Sequence, residues 1–103
     1  MKWCVYAGLL FVAACSVARA DDVEAPTCVE VDKSAPIRGY GHAHIVHVEN
    51  GCDRPVRCAV ATDVDPTPTQ ITVPAGERED VVARIGSPAS TFEAIVDCEL
   101  RSP

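Results

Sequence analysis

The residues in this chain that can do chemistry fall into three groups, and the histidines are the most concentrated. All three lie in the run His42-Ala43-His44-Ile45-Val46-His47. On a strand, side chains two apart leave the same face, so His42 and His44 could offer two imidazole nitrogens to one Zn or Cu ion, while His47 leaves the opposite face. A third ligand would have to come from a neighbouring strand, with Asp80 and Glu93 as candidates. Strand histidines more often pack or face water than ligate. The expectation is therefore no metal and no cofactor, with the His42/His44 pair kept as the alternative.

The other groups give weaker signals. Beyond residue 20 the chain has no Met, and each Cys there is better used in a bridge, so a blue-copper site lacks its ligands. Asp63 and Asp65 flank Val64 before Pro66, but the stretch lacks the further oxygen ligands and the Gly of a calcium loop, which leaves ordinary turn chemistry. Ser34, Ser87 and Ser90 read as loop residues outside any Gly-x-Ser-x-Gly frame, at unknown distance from a histidine base. No enzyme is expected.

The elements that must position these residues begin after residue 20. Met1-Lys2, the apolar run Trp3 to Ala14 and the ending Ala18-Arg19-Ala20 read as a signal peptide over residues 1–20. Val12-Ala13-Ala14-Cys15 also resembles a lipobox, which would lipidate Cys15 and tie the chain to a membrane; either route exports the chain, and the expectation is a secreted or periplasmic protein with the Cys15-anchored lipoprotein as the alternative. Removing Lys2 and Arg19 with the leader leaves seven basic residues against fifteen acidic, a formal charge of −8. Such a surface is a poor counterion for phosphate, so nucleic acid and anionic lipid are disfavoured partners. With only Tyr40 and Phe92 as aromatics, there is no stacking platform for sugars or bases.

Cys28, Cys52, Cys58 and Cys98 remain in the exported part, where four cysteines normally make two disulfides. A domain of this size buries only about 60–65% of its unfolded surface, so cross-links supply what the core cannot. Residues 21–36 form an acidic, Pro-bounded segment, ordered in part through Cys28-Val29-Glu30-Val31, a candidate edge strand. Residues 37–103 then alternate with period two. Strands are expected around His42 to Val48, Pro55 to Thr62, Gln70 to Val73, Val81 to Ile85 and Phe92 to Leu100, with Asn50-Gly51 as a chain reversal and no long helix. Parity puts Cys58 with Val56 and Val60, and Cys98 with Val96 and Leu100, so the two can bridge across one core and leave Cys28 to Cys52. A local Cys52 to Cys58 bridge stays open, because four cysteines allow three pairings.

Five or six such strands make an all-β protein, a small antiparallel β-sandwich or barrel. Val48-Glu49-Asn50-Gly51-Cys52 with Pro55-Val56, and Ile71-Thr72-Val73-Pro74-Ala75-Gly76, resemble the strand, Asn turn and Pro-Gly turn of secreted bacterial immunoglobulin-like sandwich domains. The resemblance implies an architecture, not an activity, and no Trp follows the first core Cys as in antibody-type domains. The functional expectation is a structural or protein-binding module, its partner contacts on loops such as Asp63 to Thr69 and Gly86 to Ser90 or on edge strands.

Overall fold

The computed structural model describes residues 21–102. The leader expected over residues 1–20, with Cys15, lies outside the described residues. Eight strands follow in order: β1 (Asp22–Glu24), β2 (Val29–Ser34), β3 (Ile37–Arg38), β4 (Gly41–Asn50), β5 (Val56–Thr62), β6 (Thr69–Val73), β7 (Arg78–Ser87) and β8 (Ala94–Leu100). One sheet has the order β1-β8-β5-β6, with β1 parallel to β8 and the other pairs antiparallel. The second is antiparallel throughout, with β4 between β7 on one side and β2 and β3 on the other. The protein is thus an all-β, two-sheet, two-disulfide fold.

Alternation along β4 sets the layers. His44, Val46 and Val48 turn inward and are fully buried, and the two valines share one core cluster with Val56, Cys58, Val60, Val73 and Val96 of the other sheet. His47 and Glu49 take the outer face, as period two requires. β2 and β3 keep one register against β4, from Val29↔Asn50 through Ser34↔Ile45 to Ile37↔His42. The strand is interrupted at Ala35-Pro36 because Pro36 has no N–H to give, yet its carbonyl still accepts from Ala43 N at 2.9 Å. Gly39, at φ 67°, then turns β3 into β4 through the two-residue loop Gly39-Tyr40. This hairpin went unseen in the sequence.

The Asn50-Gly51 reversal is corrected. Neither residue has positive φ, and the chain crosses there from one sheet to the other instead of forming a hairpin. Asn50 is fully buried and serves as a hub: Nδ2 donates to Arg54 O and Val73 O, both at 2.9 Å, and Oδ1 accepts from Cys52 N at 2.8 Å. Gly51 is required by space, since a Cβ would stand 2.9 Å from Cys28 O. β7 also reaches further than expected, taking in Arg78-Glu79-Asp80 and running through Gly86, whose φ of 76° suits only glycine well. Phe92 is buried but precedes the last strand, which starts at Ala94.

The bridges are Cys28–Cys52 and Cys58–Cys98, the expected pairing. The second differs in placement. Cys58 and Cys98 are directly opposed on neighbouring strands of one sheet, so the bond does not span the core from sheet to sheet. Same-face parity is satisfied equally by both arrangements, and parity alone could not separate them. The open side between the sheets is closed by an ion pair, Lys33 Nζ to Asp21 Oδ1 at 2.6 Å, with Lys33 also donating to Phe92 O at 2.8 Å. Residues 21–36 therefore carry strands of both sheets.

Candidate functional site

The three histidines divide among three surroundings. His44 is fully buried, its ring stacked on Phe92 with centroids 4.4 Å apart and planes 16° from parallel. Its Nε2 lies 2.9 Å from Ala89 O, while Nδ1 is buried without a partner. His42 is half-buried and places Nδ1 2.7 Å from Ala35 O. Each ring of the proposed metal pair is thus engaged by a different main-chain carbonyl. Among the described residues, no three His, Cys, Asp or Glu side chains come together in a way that could hold a metal ion. Asp80 and Glu93, the candidate third ligands, lie elsewhere: Asp80 meets His47, and Glu93 N donates to Asp63 Oδ1 at 2.8 Å.

His47 sits at the centre of a polar cluster that links three strands. Cross-strand pairing puts it opposite Asp32 on β2 and Asp80 on β7, while Ser34 opposes Ile45, two residues along β4 on the same face. Nε2 lies 2.9 Å from Ser34 Oγ, and Nδ1 lies 2.8 Å from Asp80 Oδ1. Arg78 holds the same carboxylate oxygen through Nε at 3.0 Å. Hydrogen bonds from His47 and Arg78, helped by their charge, keep the Asp80 carboxyl below its usual pKa against a lesser effect of burial. A cleft of about 340 Å³ opens beside His47, walled by Glu30, Val31, Asp32, Glu49 and Arg78.

A second feature lies at the hairpin end of the same sheet. Ile37 is 73% exposed, Ile85 71%, and Tyr40 stands wholly in solvent at the turn. Pairing brings them to one end, since Ile37 opposes His42 on one side and Ser87, two residues beyond Ile85, opposes it on the other. The hairpin is held close to β7: a Cβ on Gly41 would stand 2.7 Å from Ser87 O and 2.8 Å from Gly86 C. The loops Asp63 to Thr69 and Gly86 to Ser90 each carry a local turn bond. Asp65 N donates to Thr62 Oγ1 at 2.9 Å, and Ser87, almost fully buried, accepts from Ala89 N at 3.1 Å, so both stretches spend polar groups on their own turns.

Sequence reasoning thus put Ser34 in a loop, whereas it ends β2 within reach of His47. The available signal was the alternation Val29, Val31, Lys33 against Glu30, Asp32, Ser34, which gives the last three residues the outer face. What could not be read was the partner strand. No helix among the described residues is long and apolar enough to cross a membrane. Compared with known proteins, the chain matches no family model, no curated protein and no solved structure.

Proposed function

We propose that the chain is an exported immunoglobulin-like sandwich that binds a protein partner through the hairpin end of its second sheet. The observation that carries this reading is the exposed pair Ile37 and Tyr40 on a hairpin that packs closely on β7 at Gly41, with Ile85 of β7 exposed at the same end of the sheet. Large apolar side chains grouped in solvent are a feature of recognition surfaces, and a rigid backbone lowers the ordering cost of binding. Two disulfides suit an oxidising compartment outside the cytoplasm. The acidic surface favours a neutral or basic protein partner over nucleic acid. Zn or Cu binding through His42 and His44 has less support, since both rings already meet main-chain carbonyls.

The test is photo-crosslinking from position 40 in the cells that export the protein, set against an Ile37→Ser, Ile85→Ser variant that carries the same probe at position 40. A partner held by the native surface and lost by a variant of unchanged melting temperature supports the proposal. Equal capture by the variant, or no crosslink from position 40, overturns it.

A further inference from the structure

We propose that Ser34 is a base-activated nucleophile, with His47 as its general base and Asp80 as the residue that positions the imidazole. Three groups on three adjacent strands stand in the order hydroxyl, imidazole, carboxylate, with Oγ to Nε2 at 2.9 Å and Nδ1 to Oδ1 at 2.8 Å. A nucleophile within hydrogen-bond reach of a base, itself oriented by a third group, is the arrangement that activates a serine.

The proton positions follow from the neighbours. Nδ1 has two contacts, Asp80 Oδ1 at 2.8 Å and a terminal nitrogen of Arg78 at 3.0 Å. The guanidinium can only donate and the carboxylate can only accept. A lone pair on Nδ1 would face the carboxylate charge at the shorter distance, whereas an Nδ1–H satisfies it. The proton therefore sits on Nδ1, Nε2 carries the lone pair, and Ser34 O–H donates to it. Arg78 remains bound to Asp80 through its Nε.

The reaction this permits is acyl transfer. Ser34 Oγ bonds to the carbonyl carbon of an ester as its proton passes to Nε2; the bond to the leaving alkoxide breaks, and the alkoxide takes that proton. Water, deprotonated by the same Nε2, then releases the carboxylic acid and restores the serine. Ser34 is half-buried and lines a second hollow of about 270 Å³ with Lys33, Ala35, Ser90 and Thr91, so the Ser34–His47 hydrogen bond lies between two concave surfaces. The carboxylates of Glu30, Asp32 and Glu49 beside His47 repel anionic acyl groups and suit a neutral or cationic ester. Turnover also needs an oxyanion donor, worth about 10²–10³ in rate, whereas bond formation at Ser34 reports the Ser34–His47 step itself. The formation of the covalent adduct is therefore a better readout than turnover.

A neutral fluorophosphonate reports that step directly, because Oγ bonds to phosphorus, fluoride leaves and Nε2 takes the proton. On the oxidised protein, mass spectrometry should find the adduct on Ser34. His47→Gln should slow labelling by about 100-fold or more, in line with the share a general base supplies. Asp80→Asn should slow it as well, and imidazole nitrogen NMR should show the His47 proton moving from Nδ1 toward Nε2, a change that a merely structural aspartate would not produce. Melting curves identify any variant that fails to fold, and Asp80, on the edge strand β7, offers the second route if His47→Gln is one. No adduct on Ser34, labelling of Ser90 at the same rate, or an Nε2–H tautomer in the native protein would overturn the assignment.

Discussion

Replacing Asn50 by Ala separates a turn residue from a structural hub. If Asn50 only shaped a turn, Ala or Gly would cost a few tenths of a kcal/mol to about 1 kcal/mol. In the structure its side chain satisfies Cys52 N, Val73 O and Arg54 O, and the residue is fully buried. Truncation strands those main-chain groups, each at a cost of about 1–3 kcal/mol, with the smaller end fitting Arg54 O, which is only partly buried. The sum is about 3–7 kcal/mol, a large share of the roughly 5–15 kcal/mol by which a domain is stable. At about 4–8 °C per kcal/mol for a domain of this size, the melting temperature should fall by at least ~12 °C. Asn50→Asp keeps the acceptor for Cys52 N but turns carboxylate charge toward two carbonyls, so it should be no better than Ala. Urea unfolding with both disulfides intact measures the difference. A loss under about 1 kcal/mol for Asn50→Ala would refute the hub argument.

Three further outcomes are expected. Removing Cys58–Cys98 as a double Ala variant should cost about 4 kcal/mol and removing Cys28–Cys52 about 3.5 kcal/mol on the chain-entropy argument, given separations of 40 and 24 residues; denaturant midpoints of the two variants check the order. Burial raises the Asp21 carboxyl pKa, but hydrogen bonds from Lys33 and Ala94 N and the Lys33 charge outweigh it and leave the pKa below 3.8. Its contribution is full above that value and is lost as pH falls through the lowered one, so Asp21→Asn should flatten acid unfolding below about pH 3.8 and lose stability near neutrality. Titration of untagged protein with Zn or Cu at pH 7.5 should show no stoichiometric uptake; one equivalent, lost in a His42→Ala, His44→Ala variant, would restore the metal reading.

What could be read from the sequence was what local alternation controls. Val46 and Val48 set the phase of β4, and the strands around Cys58 and Cys98 were placed to within a residue or two, because hydrophobic period two is a property of each strand alone. Pairing is not local. Cys58 and Cys98 share an inward face whether their strands are neighbours or lie in opposite sheets, and only the topology makes them neighbours. Asn50-Gly51 carries the residue types of a reversal, yet burial and three hydrogen bonds turned its amide to another use. The Gly39-Tyr40 turn was overlooked because its strand, Ile37–Arg38, is two residues long and exposed, with no alternation to announce it.

The same distinction separates the histidine pair that spacing suggests from the contacts that the fold makes. His42 and His44 are close in sequence, and spacing favours what is close, but an imidazole acquires its chemistry from what lies across the strand. His44 meets Phe92 and Ala89, which leaves it packed in the core. His47, the residue that parity set apart, faces Ser34 from β2 and Asp80 from β7. Its outward phase is fixed by Val46 and Val48, and the outward phase of Ser34 by Val29 and Val31, so hydrophobic burial inside the sandwich determines which polar groups meet outside it. A one-residue slip of β2 against β4 would turn Ser34 inward and Lys33 outward. It would also part Lys33 from Asp21 and Phe92 O, the contacts that close the side of the fold. The polar cluster and the core packing thus depend on one register, and that register is held at its far end by Cys28–Cys52, which joins the start of β2 to the segment that follows β4.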